Sequence, residues 1–348
     1  MSRRRGGIAV ALLALLAVGL VLLALRPKAP PQAPPVIPTA GAVAMQGHEV
    51  WAWTGPAQCP GTLGSGSSAA SSATSSSPGA AGGGSSIAHY DGTAWTSTAV
   101  PLAVVSTLTF SGTHLGVAVG RLPDCHHEIL VTTDGGATWA PVSGVPALAD
   151  ASLSGHTLWG VTTTSGQHAV RRYQLADDGT VSLAGPGRPT NPCTTGAGPP
   201  SQVAAPASAT ALLLCQNLGI DERQVDRTRT AGVSWEIVVD QRPQTGFDGA
   251  GVDVTQLSAV GQRNVWALFV DPQGECHEGQ VRHSRNGGLS WTRLTCPSQT
   301  AAVDQVYGLD FASRTVGALV GLDGDRGTVL VTVDGGQTWH AIATPPTS

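Results

Sequence analysis

Two short clusters in this 348-residue chain contain the residue types that most often bind zinc. They read DCHHE at 124–128 and ECHE at 275–278, and cysteine, histidine and carboxylate side chains are common zinc ligands. The same residues are equally typical of oxidised cysteines beside solvated polar groups. We favour that interpretation, because the repeat described below places the two clusters on opposite sides of the fold. The sequence therefore predicts no metal site and no cofactor.

Three carboxylates, Asp253, Asp304 and Asp310, could perform hydrolytic chemistry. Glycoside hydrolases hold two carboxyl groups roughly 5 to 10 Å apart across the bond that they cleave. All three aspartates lie in or beside predicted inner strands, so they could meet near the centre of the fold. Acidic residues at such positions are more often solvated or cap a turn. We therefore expect no catalytic pair, and a hydrolase stays an alternative.

An internal repeat must position these residues. The phrase TTDGGATW at 132–139 returns as TVDGGQTW at 332–339. Looser copies read HYDGTAW, LADDGTVSL, TRTAGVSW and SRNGGLSW, and the six copies end at positions 95, 139, 183, 235, 291 and 339. This spacing is close to the roughly 40 to 50 residues of a four-stranded propeller blade.

Each copy follows a similar series of short apolar runs separated by Gly, Asp and Ser. In the second copy these runs are STLTF, LGVAVG and EILVTTD, and in the last they are VYGLDF, VGALVG and GTVLVTVD. Such runs are typical of short antiparallel strands. The sequence therefore predicts an all-β fold over 39–348: a six-bladed β-propeller with four strands, a to d, in each blade. Seven blades are less favoured.

The repeated phrase lies at the turn from strand c to strand d, and its residue types suit that turn. An Asp side chain can accept hydrogen bonds from the turn's backbone amides, and Gly adopts the positive φ that other residues resist. The Trp opens strand d and can bury a large surface. The residues to which we assign this structural role are Asp91, Trp95, Asp134, Gly136, Trp139, Asp178, Trp235, Gly288, Trp291, Asp334, Gly336 and Trp339.

At these residues the chain resembles the Asp-box, or BNR, repeat family, whose pattern is S/T-x-D-x-G-x-T/S-W. That family includes sialidases, sortilin-type receptors and propellers related to a photosystem II assembly factor. The resemblance covers all six copies and implies a β-propeller. There are departures: Ala231 and Asn286 stand at or near the Asp position, Leu183 replaces the Trp, and the first copy is one residue shorter.

The likeness to sialidases implies a catalytic set that can be compared with this chain. Sialidases use an arginine triad that begins in a Phe/Tyr-Arg-Ile/Leu-Pro motif, a Tyr nucleophile paired with a Glu, and an Asp acid/base. The nearest motif, GRLP around Arg121, lacks the aromatic residue and follows strand b of the second blade. Tyr90 and Tyr173 fall in c strands away from the axis. Only Tyr307, in an inner strand, is a weak candidate nucleophile, and no Glu partner can be assigned to it.

These mismatches favour a non-catalytic binding or assembly propeller with a protein or glycan partner; the alternative is a sialidase-like glycoside hydrolase. Only 12% of residues are charged and the net charge is -4, which argues against nucleic acid as a partner. The b–c and d–a loops of a propeller share the face opposite the repeated turns. We expect the partner on that face, and we predict no oligomeric state.

The N-terminal residues predict a membrane anchor. Arg3, Arg4 and Arg5 precede an uncharged run, 6–25, which as a helix reaches ~30 Å, the thickness of a bilayer core. The preceding charges predict a cytoplasmic segment 1–5 and an extracytoplasmic propeller on a single-pass protein of a bacterial cell membrane. Residues 26–38 are rich in proline and predict an extended linker. The alternative is a cleaved signal peptide and a secreted protein.

Six cysteines in an exported chain suggest disulfides. Their predicted positions, in b–c loops, at the end of a b strand or after d strands, all lie toward the face opposite the repeated turns. Topology then favours the pairs Cys59–Cys125, Cys193–Cys215 and Cys276–Cys296. The Ser-, Gly- and Ala-rich stretch 61–86 falls in the first b–c loop and predicts a disordered insertion.

Overall fold

The computed structural model describes residues 40–55, 85–164, 167–184, 191–193, 198–216, 223–240, 253–270, 276, 279–324 and 326–342. The predicted segments 1–5, 6–25 and 26–38 lie outside these residues, as does nearly all of the predicted insertion 61–86. They therefore stay predictions. Among the described residues, no helix is long and apolar enough to span a membrane.

The described chain forms six antiparallel sheets of four strands, and consecutive strands of each sheet are neighbours. Blades 1 and 2 contain β1 Ala40–Gln46, β2 Glu49–Gly55, β3 Ser86–Tyr90, β4 Trp95–Ala99, β5 Val104–Ser111, β6 Leu115–Arg121, β7 His127–Thr132 and β8 Ala140–Pro141. Blades 3 and 4 contain β9 Leu148–Ser154, β10 Thr157–Thr164, β11 Gln167–Leu175, β12 Val181–Leu183, β13 Pro200–Ala207, β14 Thr210–Gln216, β15 Arg223–Thr228 and β16 Glu236–Asp240. Blades 5 and 6 contain β17 Asp253–Val260, β18 Asn264–Val270, β19 Gln280–Ser284, β20 Thr292–Arg293, β21 Gln305–Phe311, β22 Gly317–Asp323, β23 Arg326–Thr332 and β24 His340–Ile342.

The second strand of each blade is covered by the neighbouring blades on both faces of its sheet, so it is the most apolar strand. β14 is buried along its whole length, and β6 and β22 are buried except for their last residue. Their sequences, TALLLCQ, LGVAVGR and GALVGLD, are accordingly almost continuously apolar. The outer strands β8 and β20 are two residues long and exposed. Apolar burial is therefore concentrated between the blades.

The six inner strands close a ring. Each of β1, β5, β9, β13, β17 and β21 packs against the next, and β21 packs against β1. Every blade is built from consecutive strands, so in the described chain no strand is exchanged between the two ends. Side chains close the ring instead: Val43 and Met45 of blade 1 pack with Ala318, Val320 and Val329 of blade 6. The predicted six-bladed, four-stranded architecture is confirmed.

Two junctions between blades share an aromatic arrangement. Trp51 of β2 stacks on Phe110 of β5 with ring centroids 3.8 Å apart, and its Nε1 donates to the carbonyl oxygen of Gly135 at 2.7 Å. Trp266 of β18 stacks on Phe311 of β21 at 3.9 Å, and its Nε1 donates to the corresponding turn glycine of blade 6 at 3.1 Å. Each indole thus ties a second strand to the repeated turn of the next blade.

Candidate functional site

The repeated turns of blades 2 and 6 have the same hydrogen-bond pattern. Oδ1 of Asp334 accepts from the backbone N–H of Thr338 at 3.0 Å, and Oδ2 accepts from the Thr338 hydroxyl at 2.6 Å. The hydroxyl oxygen of Thr332 accepts from the N–H of Gly336 at 2.9 Å. Although partial burial acts in the opposite direction, hydrogen bonds from Thr338 and Thr332 lower the pKa of Asp334 to about 2. This carboxylate is therefore an ionised structural acceptor, and Asp134 is its equivalent in blade 2.

The turns of blades 4 and 5 keep this pattern with other residues. Asn286 occupies the Asp position in blade 5, and its Oδ1 accepts from the N–H of Ser290 at 2.9 Å. In blade 4 the Asp position belongs to Thr230, whose Oγ1 accepts from the N–H of Ser234 at 2.9 Å. Ala231 instead replaces the first glycine of the turn, with a φ of 57°. In this copy the residue at the Asp position is therefore Thr230, and Ala231 is one residue after it.

The turns of blades 1 and 3 are shorter. Asp91 accepts from the N–H of Thr93 at 2.8 Å, and Asp178 accepts from the N–H of Thr180 at 2.9 Å. Leu183, which stands where a Trp is expected, has 46% of its surface exposed. It therefore does not replace the packing of a tryptophan, and these two blades have tight Asp turns in place of the longer pattern.

The tryptophans of the repeated turns lie in the cores between blades. Trp339 is fully buried at the junction of blades 5 and 6, and Trp291 is 8% exposed at the junction of blades 4 and 5. Trp139, Trp235 and Trp95 are partly buried against three other junctions. The second glycine of the turn has a positive φ in blades 2, 5 and 6, at Gly136, Gly288 and Gly336.

Asp150, on the inner strand β9, joins three blades. Its Oδ1 accepts from the hydroxyl of Thr107 in β5 at 2.6 Å, and its Oδ2 accepts from the N–H of Val203 in β13 at 2.7 Å. The side chain is half-buried and borders a small axial cavity, so its charged form loses much of its hydration. This burial raises the pKa of Asp150 to about 6, against the two hydrogen bonds that lower it.

Asp310, three blades further around the ring on β21, has the same arrangement. Its Oδ1 accepts from the hydroxyl of Ser258 in β17, and its Oδ2 accepts from the N–H of Met45 in β1, both at 2.8 Å. Burial raises the pKa of Asp310 as well. Because β1 belongs to the first blade and β21 to the last, the bond from Met45 to Asp310 also closes the ring.

Other polar side chains on the inner strands also form hydrogen bonds with the backbone of the following blade. Oε1 of Gln256 accepts from the N–H of Leu309 at 2.9 Å, and Nε2 of Gln46 donates to the carbonyl oxygen of Phe110 at 2.9 Å. All six junctions of the ring contain such a bond. The polar residues of the axis therefore satisfy backbone groups on the free inner edge of the neighbouring blade.

The axial cavity has a volume of about 90 Å³ and is lined by residues of all six inner strands. This volume is large enough to hold several water molecules. Pockets that bind small molecules are typically larger, at ~300 to 1,000 Å³. The described axis therefore has room for water and is smaller than a usual ligand site.

The candidate catalytic residues that the structure describes form hydrogen bonds within their own blade or between blades. The hydroxyl of Tyr307 donates to the side chain of Gln305, an amide that cannot serve as a base, and burial raises the pKa of Tyr307. Oδ2 of Asp304 accepts from the N–H of Gly324 at 2.7 Å, so this aspartate caps a turn. The side chain of Asp253 lies outside the described part of the structure.

The remaining residues of the sialidase comparison lie away from the axis. Arg121 ends β6 at an exposed position, and Tyr90 and Tyr173 lie on the third strands β3 and β11. The hydroxyl of Tyr90 donates to the carbonyl oxygen of Gly92 at 2.9 Å. Within the described ranges, no tyrosine hydroxyl is hydrogen-bonded to a glutamate.

Two predicted disulfides are present in the structure, Cys193–Cys215 and Cys276–Cys296. Cys59 lies outside the described residues, so the predicted Cys59–Cys125 pair stays a prediction. Cys215 is at the end of a second strand, and Cys125 and Cys276 lie in b–c loops. These positions agree with the predicted face opposite the repeated turns.

The two clusters of zinc-type residues are only partly described. In the first, Nδ1 of His126 lies 2.8 Å from Oδ2 of Asp124 on exposed surface. In the second, residues 277 and 278 lie outside the described part. A separate group, Cys193, Cys215 and Asp226, brings three potential ligand atoms within 4.8 Å of one another. Its two sulfur atoms are bonded to each other, so they are not thiolate ligands.

Two adjoining pockets, together called the arginine pocket, lie on the face of the repeated turns where blades 5 and 6 meet. Their volumes are about 570 and 300 Å³. Arg285 and Arg314 line both, and Arg263 lines the larger one. Arg263 and Arg314 belong to the a–b turns of blades 5 and 6, and Arg285 belongs to the repeated turn of blade 5. All three are exposed, and none forms a salt bridge with another described residue.

The surroundings of these arginines favour an anionic ligand. The larger pocket adds the polar side chains of Gln262 and Asn264, and none of its described lining residues is acidic. Among the described residues of the smaller pocket, Asp334 is the one carboxylate, and it is already bonded within its own turn. Burial and then the charge of Arg285 lower the pKa of His283 to about 4, so this histidine is neutral. Guanidinium groups bind carboxylates and phosphates through parallel hydrogen bonds.

This pocket was not predicted from the sequence, because its arginines are far apart in the chain. The available signal was that all three occupy turns of one face on two consecutive blades. The partner was instead predicted on the opposite face. Many loops of that face lie outside the described residues, at 56–84, 217–222, 241–252 and 271–275, so that prediction is not tested.

Solved structures similar to this chain are β-propellers of different function. A lectin from Aleuria aurantia in complex with Fucalpha1-6GlcNAc has 13% identity and a TM-score of 0.51, covering 88% of this chain and 96% of the lectin. YCF48 bound to D1 peptide has 18% identity and a TM-score of 0.42, covering 72% of this chain and 86% of that one. The Hadza microbial sialidase Hz136 has 12% identity and a TM-score of 0.49, covering 82% of this chain and 63% of the sialidase.

No protein-family model and no curated protein sequence matches the chain. The structural similarity is therefore evidence for fold alone. The class that fold and site define is a six-bladed β-propeller with a hydrogen-bonded axis.

Proposed function

We propose that this protein is a non-catalytic propeller of the Asp-box type that binds an extracytoplasmic protein or glycan. The supporting observation is that the axial carboxylates form structural hydrogen bonds between blades. Both oxygens of Asp150 and of Asp310 accept bonds that hold neighbouring blades together. A two-carboxylate hydrolase needs such groups turned toward the substrate, with space for the sugar and a water or nucleophile. The cavity beside these aspartates is only about 90 Å³.

The partner of this propeller presents a carboxylate or another oxyanion to the arginine pocket. Arg263, Arg285 and Arg314 border a volume suited to a ligand and have no described salt-bridge partner. The chain as a whole is slightly acidic, at a net charge of -4, so positive charge is a local property of this pocket. The similar lectin is a sugar complex, which supports testing acidic glycans first and acidic peptides second.

The propeller acts outside the cytoplasm of a bacterium, held by the anchor 6–25 and the linker 26–38. The two disulfides support this location, because disulfides persist in oxidising compartments. Secretion after cleavage of the N-terminal segment is the alternative, and it leaves the binding surface unchanged.

The experiment is a binding screen of the purified protein against sialylated, sulfated and neutral glycans and against acidic peptides. We expect acidic probes to be retained by the wild type and lost by the Arg285→Gln/Arg314→Gln double variant. Arg293→Gln is the matched control, because Arg293 is an exposed arginine of blade 5 outside the pocket. Release of sialic acid from a fluorogenic sialoside, abolished by Tyr307→Phe, would overturn the proposal in favour of a sialidase-like hydrolase.

A further inference from the structure

The Cys193–Cys215 disulfide lies beside a buried carboxyl group. Cys215 is fully buried near the end of β14, whereas Cys193 is half-buried in the connection that follows blade 3. Asp226, in the neighbouring strand β15, is 1% exposed, and its Oδ2 lies 3.5 Å from Sγ of Cys215. The strand register brings them together: Cys215 pairs with Gln224, and Asp226 is two residues further along the same face.

The carboxyl group of Asp226 is buried without a described cationic partner. Nε2 of Gln224 lies 2.7 and 2.8 Å from its two oxygens, and no salt bridge to Asp226 is present in the described structure. The disulfide itself belongs to the apolar core between blades 3 and 4. Burial raises the pKa of Asp226 to about 6, against the lowering effect of Gln224. About a tenth of the group is therefore protonated at pH 7, and the fraction rises as the pH falls toward 6. The protonated form can donate its proton to sulfur.

We propose that Cys193–Cys215 is a redox-active disulfide that exchanges with an external dithiol, with Asp226 as the proton donor to Cys215. A thiolate of the dithiol attacks Sγ of Cys193 and forms a mixed disulfide. The Cys193–Cys215 bond breaks, Cys215 leaves with the electron pair, and the carboxyl proton of Asp226 moves to it. The second thiolate of the dithiol then attacks the external sulfur of the mixed disulfide and releases Cys193 as a thiolate. Two electrons pass from the dithiol, which becomes a disulfide, to the protein.

The difference in exposure decides which sulfur is attacked. Thiol–disulfide exchange requires access to one sulfur and a leaving group that can carry or neutralise the negative charge. Cys193 is half-buried, whereas Cys215 is 0% exposed, so the external thiolate attacks Cys193. A thiolate at Cys215 would be buried among apolar side chains, which raises its pKa and makes it a strong base. A proton donor at 3.5 Å removes that cost.

The Cys276–Cys296 disulfide is an internal control. Its cysteines are 2% and 5% exposed, whereas Cys193 is half-buried. The polar group described beside it is the amide of Gln280, with Nε2 3.6 Å from Sγ of Cys276. An amide has no acidic proton to give. The same fold thus contains a redox-active disulfide and one that only stabilises the structure.

The experiment follows reduction of each disulfide by dithiothreitol in the folded, full-length protein. Samples are quenched with an alkylating reagent at intervals, and peptide mass mapping gives a separate rate for each pair. We expect Cys193–Cys215 to be reduced roughly tenfold faster than Cys276–Cys296, or more. We expect Asp226→Asn to slow the first reaction several-fold and to leave the second unchanged. Asp226→Glu, which keeps a carboxyl group, should restore part of the rate.

The direction of the effect separates a proton donor from a structural residue. Loss of a merely structural aspartate would loosen blade 4 and make reduction faster. Equal rates for the two disulfides in the wild type, or a rate for Asp226→Asn that is unchanged or raised, would overturn the proposal. The wild-type comparison needs no variant, so equal rates for the two disulfides overturn the proposal even if Asp226→Asn does not fold.

Discussion

The axis and the arginine pocket contain ionisable side chains in opposite circumstances. Asp150 and Asp310 on the axis have both carboxylate oxygens bonded to neighbouring blades, beside a cavity of about 90 Å³. Arg263, Arg285 and Arg314 are exposed on the turn face, without a described salt bridge, beside about 570 Å³. The centre of this propeller therefore holds the ring together, and its turn face is available for a ligand.

This comparison makes stability and binding separable. Changes on the axis should alter the free energy of unfolding and leave the affinity of the folded protein for its ligand intact. Changes in the arginine pocket should do the reverse.

Asp310→Ala should lower the free energy of unfolding by about 3 kcal/mol. The substitution leaves the hydroxyl of Ser258 and the N–H of Met45 without their acceptor, and each buried unpaired donor costs ~1 to 3 kcal/mol. Urea denaturation measures the loss. Asp304→Ala, at an exposed turn of the same blade, is the control and should cost less. A fall in ligand affinity of the folded Asp310→Ala protein would show that the axis also contributes to binding.

Asp150→Asn should remove a pH dependence of stability worth roughly 2 kcal/mol. The ordinary pKa of 3.8 is raised to about 6 in the folded protein, so the unfolded chain ionises first. The contribution of Asp150 is therefore full below pH 4 and is lost as the pH rises through about 6. An asparagine can accept from the N–H of Val203 and donate to the hydroxyl oxygen of Thr107, and it does not titrate.

The measurement is the free energy of unfolding of both proteins between pH 4 and pH 7. The variant should gain on the wild type as the pH rises through this window. A constant difference across it would show that Asp150 does not titrate in the folded state as proposed. Thr107→Val provides a second check, because it removes a donor to the same carboxylate.

Arg285→Gln/Arg314→Gln should weaken binding of an acidic ligand about tenfold or more, which corresponds to ~1.4 kcal/mol. Exposed substitutions without a specific contact change stability by roughly 0.5 kcal/mol or less. Titration of the ligand at two salt concentrations measures the effect, since exposed charge pairs weaken as salt is added. Arg293→Gln should behave as wild type. Equal losses in both variants would point to general charge and not to the pocket.

Ala231→Gly should raise the free energy of unfolding by about 0.5 to 1 kcal/mol. Ala231 has a φ of 57°, where glycine is favoured, and it occupies the place of Gly335 in blade 6. Gly335→Ala should be destabilising by more than this, because a Cβ there would lie 2.9 Å from the carbonyl oxygen of Arg314. That change should also reduce binding, since it displaces the turn of a pocket arginine. Thermal unfolding and titration of the same ligand measure both effects.

The fold could be predicted because its signals are local. The strands and the repeated turn recur in each blade, and the residue types of the turn indicate which hydrogen bonds it forms. The disulfides Cys193–Cys215 and Cys276–Cys296 could be predicted from the same topology, because the strand order of the blades brings their partners close together. Counting back five residues from Trp235 would also have shown that Thr230, and not Ala231, stands at the Asp position.

The site could not be predicted because its contacts join residues from different blades. Asp150 meets one partner in the preceding blade and one in the following blade, and no local pattern marks it. Asp310 was visible as an inner-strand carboxylate, but its partner Met45 lies at the other end of the propeller. The arginine pocket is likewise assembled by packing of blades 5 and 6.

Binding at the arginine pocket is tested most directly by the dissociation constant of one acidic glycan or peptide for three proteins: the wild type, Arg285→Gln/Arg314→Gln and Asp150→Asn. The arginine variant should lose about tenfold in affinity or more, and the axial variant should bind as the wild type does. Binding that survives the arginine substitutions but is lost in Asp150→Asn would contradict it and move the ligand site to the axis.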